Sequence, residues 1–208
     1  MTAKETRTTA GDQRISKLMS DMLAKSTELG NPELKSELME LGGFLNGSMY
    51  QLPVAKCEEL ATTTISLTIL RSDQLAEGSK AALEEIHACL LRIAILILEG
   101  EADAKRAARR ASPLTEPPNE SAISIMAEEA DCHEHISKIA HKLRISGVEI
   151  EHTRRAAELW EDLAKIAVWA KLQDKAVLFY RRASEQRINH TVLLRLIDSG
   201  EYHRPRMR

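Results

Sequence analysis

The sequence predicts an all-α fold, on three observations. Aromatic residues make up only 3% of the 208 residues, whereas Ala, Leu, Ile, Glu, Lys and Arg dominate, the composition of charged amphipathic helices and not of sheets. Apolar residues recur at intervals of three and four, the period of one buried helical face. Gly and Pro gather in short segments such as "NGSMYQLP" and "SPLTEPPNE", which read as breaks between helices.

Taken in order, residues 1–11 are polar and aperiodic, and the reading is a disordered tail. A first helix starts near Asp12, with Ile15, Leu18, Met19, Met22 and Leu23 on its inner stripe and Gly30 as its stop. Asn31 caps a second helix that carries Pro32 in its first turn and Leu34, Leu38, Leu41 and Leu45 on its inner face. From Pro53 to Arg71 the β-branched run "ATTTISLTIL" could form a strand in isolation. A lone strand among helices would leave its backbone groups unpaired, so helix is expected. A helix from Ser79 stops at Gly100, and its second half is apolar nearly all round, which calls for cover from the core or from a second copy.

"EADAKRAARRAS" follows as a shorter basic helix, and the proline-rich segment after it is the expected boundary. An N-terminal helical half at 12–112 is joined to a C-terminal helical half at 119–200. The second half holds helices at 119–146, 149–171 and 174–199, with Gly147 and Gly200 as stops, and a basic tail spans 201–208. The expectation is about eight helices packed as hairpins, in a bundle or a short solenoid.

Charge and cysteine usage narrow the function. With 29 Lys plus Arg against 31 Asp plus Glu, the net charge of −2 offers no general attraction to nucleic acid or an anionic membrane. Cys57, Cys89 and Cys132 are odd in number and widely spaced, which fits reduced thiols in a cytoplasmic protein better than disulfides. No cofactor is expected. No Gly-rich phosphate loop, Ser–His–Asp pattern or paired-carboxylate signature stands out, and the function class indicated is non-enzymatic.

Three clusters remain as chemistry candidates. Lys105, Arg106, Arg109 and Arg110 form a basic stripe that could bind a partner protein, or could be a solvated face balanced by Glu101 and Asp103. In "EEADCHEH", Cys132 and His135 share a helical face, as do Glu129 and His133. The pairs point in different directions, so a charged face is favoured over a metal site there. The third cluster surrounds His141.

The segment "AELWEDLAKIAVWAKLQDKAVLFYRRAS" resembles a tetratricopeptide repeat, carried by Trp160, Leu163 and Ala164 on one helix and Ala176, Tyr180 and Ala183 on the next. Small residues let the backbones approach and the large ones fill the remaining space. Lys171 stands where the family prefers a small residue, and Ile188 where it has Pro. A shift of 72 residues aligns Leu91 with Leu163, Ala104 with Ala176 and one "RRAS" with the other, suggesting a second hairpin at 85–112. The resemblance implies a helical adaptor that binds a partner protein; separately, the apolar helix ending at Gly100 makes self-association a further possibility.

"AHKLRISG" is similar to the phosphorylation site of histidine phosphotransfer domains. The similarity implies His141 as phosphoryl carrier with Arg144 beside it. Ile145 replaces the family's Gly and, in a continuing helix, would share the face of His141.

Overall fold

The computed structural model describes residues 10–45, 51–70, 75–111 and 120–202. Among the described residues run seven helices and no strand: α1 (Ala10–Glu28), α2 (Pro32–Leu45), α3 (Gln51–Leu70), α4 (Glu77–Ala111), α5 (Glu120–Leu143), α6 (Ser146–Trp169) and α7 (Gln173–Asp198). The fold is all-α, as expected. The chain divides into two compact units, Met1–Ile97 and Leu98–Arg208, with the division inside α4. The expected boundary at 112–119, residues 1–9 of the expected tail and the last residues from 203 lie outside the described residues, while Ala10 and Gly11 of that tail open α1.

Unit 1 is built on aliphatic packing. Met22, Leu38, Leu41, Ile86, Leu90, Leu91 and Ile93 are fully buried. Asn31 caps α2 as expected, its Oδ1 accepting the Leu34 N–H at 3.0 Å. The β-branched run of α3 is helical for a visible reason. Its hydroxyls donate back into their own helix, Thr62 to the Glu58 carbonyl at 2.9 Å, Thr63 to Glu59 at 3.1 Å and Thr64 to Ala61 at 2.8 Å.

Two expected stops fail. α4 runs 35 residues, straight through Gly100, so the basic segment continues the same helix. Residues 85–111 are therefore not a hairpin, and the helix count among the described residues is seven. A glycine inside a helix costs only about 1 kcal/mol relative to Ala, and the buried Ile95, Ile97, Leu98 and Ala102 on either side carry the helix across it. Gly147 likewise lies inside the first turn of α6.

Unit 2 holds the end of α4 together with α5, α6 and α7. Partner numbers fall in one helix as they rise in the next, so these neighbours are antiparallel: Glu101 meets Cys132 and Arg109 meets Glu129, while His141 meets Glu149 and Glu134 meets Trp160. The α5–α6 and α6–α7 turns share one design. Ile145 N–H bonds Ala140 O and Arg144 N–H bonds His141 O; Leu172 N–H bonds Ala167 O and Lys171 N–H bonds Val168 O. This is the Schellman helix ending. Its left-handed residue is usually glycine, but here it is Arg144 at φ 55° and Lys171 at φ 58°.

The α6–α7 hairpin packs Trp160, Leu163, Ala164, Ala167, Ala176, Phe179 and Ala183 into one apolar cluster. Tyr180 is the exception to the expected set. It is 46% exposed, and Phe179 occupies the core in its place, stacked on Trp160 at 5.5 Å between centroids. One residue turns a helix by about 100°, so an error of one position in the pattern moves a side chain from core to solvent.

Candidate functional site

Unit 2 threads a layer of polar groups through its core. Glu129 on α5 is 1% exposed, and its carboxylate accepts from Arg106 Nε at 3.1 Å and Arg109 Nε at 3.0 Å. Arg106 and Arg109 are thereby held inside the unit, while Lys105 pairs with Glu128. Arg110 is left exposed. The stripe expected to bind a partner is thus mostly engaged with α5. The sequence already held a signal, since Glu128 and Glu129 are adjacent acids on α5 that match the basic run at Lys105–Arg110 in charge.

Beside Glu129 lies an imidazole pair. His133 Nδ1 and His152 Nδ1 are 2.9 Å apart, and an Arg106 terminal nitrogen sits 3.4 Å from His133 Nε2. Arginine only donates, so His133 Nε2 carries a lone pair and the ring proton sits on Nδ1. His152 Nδ1 must then accept, leaving its proton on Nε2, which faces the Glu99 carboxylate at 3.7 Å. Donation therefore runs one way, from Arg106 to His133 and from His133 to His152, with the Glu99 carboxylate facing the last ring from beyond hydrogen-bond distance. Burial, followed by the neighbouring His152 ring and the Arg155 and Arg106 cations, pulls His133 down to about 3, so the ring stays neutral at ordinary pH. A cleft of about 370 Å³ opens at the pair, lined also by Asp103, Glu151 and Arg155.

His141 begins a second polar cluster. Its Nδ1 donates to Glu149 Oε1 at 2.9 Å, and the other oxygen of this buried carboxylate accepts the Tyr202 hydroxyl. Tyr202 falls in the expected basic tail, but it is buried, and burial and then the Glu149 carboxylate push its phenol above the usual range. The carboxylate fixes the ring and its tautomer, leaving the lone pair on Nε2 of a half-exposed side chain. α5 ends at Leu143, so Ile145 has left the helix and does not extend the face of His141. Arg144 is exposed at the turn.

Cys132 Sγ lies 3.9 Å from Glu101 Oε2. Burial and then the Glu101 charge push the thiol up to about 11. Among the described residues no three His, Cys, Asp or Glu side chains are grouped as metal ligands would be, and this includes Cys132 and His135.

Trp160 is the hub of the hairpin. Its Nε1 donates to buried Glu134 at 2.6 Å, and the Arg182 guanidinium lies 4.4 Å over the ring while bonding Asp131 at 2.6 Å. Among the charged residues on the outer surface of the same hairpin are apolar ones: Val168, Trp169, Val177, Leu178, Tyr180, Ile188 and Val192 are all about half exposed or more. Comparison with known proteins gives no matching family model, no matching curated protein and no matching solved structure. No described helix is long and apolar enough to cross a membrane.

Proposed function

We propose that the protein is a non-enzymatic interaction module whose contact surface is the outer face of the α6–α7 hairpin. The observation that carries this reading is aromatic placement. The chain has two Trp and three Tyr, and this hairpin leaves Trp169 49% and Tyr180 46% exposed, with Val177 and Ile188 of α7 exposed as well. Trp, Tyr and Arg are the residues that dominate binding energy in protein interfaces. Arg181 and Arg187 flank the patch.

The tetratricopeptide-like resemblance fits this reading as a short stack of hairpins. α6 touches α4 through His152 and Glu99, and α7 touches α5 through Arg182 and Asp131, the neighbour pattern of stacked helix pairs. The contact surface moves accordingly from the Lys105–Arg110 stripe to α7. A double variant, Trp169→Ala with Tyr180→Ala, should keep the melting temperature and lose the complex with whatever protein purifies with the chain. A complex that survives both changes argues against this face.

A second reading is favoured by one geometry, the His141–Glu149–Tyr202 cluster. A carboxylate on Nδ1 leaves Nε2 as nucleophile and stabilises the cationic ring formed as the N–P bond replaces the donor's P–O bond. Arg144 would then pair with the phosphoryl oxygens. Incubation with a phosphorylated response regulator or an autophosphorylated kinase should transfer phosphate to the wild type and not to His141→Gln. Absence of acid-labile phosphate on the wild type removes this reading.

A further inference from the structure

We propose that the partner of α7 is a second copy of this chain, the two α7 helices crossing antiparallel about a two-fold axis at Ser184. This rests on the reading of the last hairpin as a contact surface and names its occupant. The inner face of α7 is set by Ala176, Phe179, Ala183, Gln186 and Leu193. At about 100° per residue, Val177, Ser184, Ile188 and Arg195 fall within about 40° of one another on the opposite side, and all four are exposed.

The pattern on that outer side is close to a palindrome. With Ser184 on the axis, Tyr180 meets Ile188 of the second copy, and Val177 meets its Thr191 and Val192. A two-fold interface needs such self-matching, because each contact occurs twice. Ser184 supplies a small residue where the two backbones come closest, with bulk on either side of it.

Charge agrees with the same register. Asp174, in the first turn of α7, comes beside Arg195 in the last turn of the second copy. The arginines brought near one another, Arg181 and Arg187, are already neutralised within each chain. Arg181 Nε donates to Glu185 at 3.1 Å, and Arg187 bonds both oxygens of Glu161 at 2.6 and 2.8 Å.

Sedimentation equilibrium of the full chain at micromolar concentrations tests the proposal, alongside Ile188→Asp and Ser184→Cys. The expected result is a wild-type dimer, a dissociation constant raised at least about tenfold by Ile188→Asp, and a Ser184→Cys dimer that becomes covalent on mild oxidation. Asp162→Cys, on the exposed face of α6, should give no covalent dimer. A chain monomeric throughout overturns self-pairing while leaving α7 open to a different protein. A dimer that ignores Ile188→Asp and gives no Ser184→Cys cross-link overturns self-pairing through α7, and the Trp169→Ala with Tyr180→Ala variant then decides separately whether this face contacts a different protein.

Discussion

Unit 1 and unit 2 bury their polar groups in opposite ways. In unit 1 the buried polar side chains among the described residues are Ser26 and Thr64, and each hydroxyl donates to a carbonyl of its own helix, Leu23 and Ala61. In unit 2 the buried set is Glu129, His133, Glu134, Ser137, Glu149, His152, Thr153 and Gln186. Most of these are satisfied across helices. Ser137 and Thr153 are 2.7 Å apart, and because Thr153 spends its proton on the Glu149 carbonyl, Ser137 is the donor. A locally satisfied group says nothing about which helix lies next door. A group satisfied across helices fixes register and facing, since a shift of one residue leaves a charge buried alone.

The largest expected effect is at the hub of unit 2. Trp160→Ala removes the stack on Phe179, the cation contact with Arg182 and the donor to Glu134, and should cost about 3–5 kcal/mol. Leu38→Ala in unit 1 removes one fully buried aliphatic side chain and should cost about 2–5 kcal/mol. Both tryptophans lie in unit 2. Emission therefore follows that unit alone in urea, while far-UV circular dichroism follows both. For Leu38→Ala only the circular-dichroism transition should move; if both move equally, the units unfold as one body.

Next comes the clamp. Glu129→Ala strands Arg106 and Arg109, which are partly exposed and can recover some hydration. The cost should be about 2–3 kcal/mol, below that of a fully buried pair. Thr64→Val in unit 1 removes an equally buried polar group but should stay within about 0.5 kcal/mol of wild type, because its partner carbonyl already serves the helix. Equal losses for the two substitutions in urea titrations would erase the distinction between the units.

How much of this could be read from sequence follows the same division. Periodicity at three and four located the helices and most of the aliphatic core, because burial in unit 1 depends on pattern alone. The tetratricopeptide-like pattern pointed to Trp160, Leu163, Ala164, Ala176 and Ala183, each of which is buried in the last hairpin. It failed at Phe179 and Tyr180, two adjacent aromatics for which only three-dimensional packing decides which faces in. The pairings of Glu129 with Arg106 and Arg109, of His133 with His152, and of Glu149 with Tyr202 span 19 to 53 residues, and no local spacing rule reaches that far. Arg144 and Lys171 defeated the turn rules because a left-handed cap was filled by residues that normally avoid it.

Acid should separate the units further. His133 is held down to about 3 in the fold and returns to about 6.5 on unfolding. The stability it confers by staying neutral is complete above pH 6.5. As pH falls, the unfolded chain takes the proton and the folded one does not, so unit 2 should lose about 1.4 kcal/mol per pH unit between roughly pH 6 and 3. The groups facing the pair, Glu99, Asp103 and Arg106 from α4, Glu129 from α5, and Glu151 and Arg155 from α6, set the background. His133→Asn, which keeps a donor toward His152 but has no titrating ring, should flatten the slope of the emission midpoint against pH. An unchanged slope would assign the acid response to the carboxylates.

The smallest expected effect lies in the turns. Unit 1 closes α1 with Gly30 at φ 63°, the residue suited to left-handed backbone, whereas unit 2 closes α6 with Lys171 at φ 58°. A side chain in this region costs about 1 kcal/mol, so the substitutions should have opposite signs. Gly30→Ala should lower stability by about 1 kcal/mol although no neighbouring atom lies within 4 Å of the added methyl. Lys171→Gly should raise it by about 0.5 kcal/mol, the relief of strain being offset in part by the freer unfolded chain. A gain at Lys171 in the emission transition would show that unit 2 carries its strain at a turn the packing of Leu172 against the hairpin core holds in place. A loss there would mean that the lysine side chain makes up for its backbone, and the contrast between the two caps would disappear.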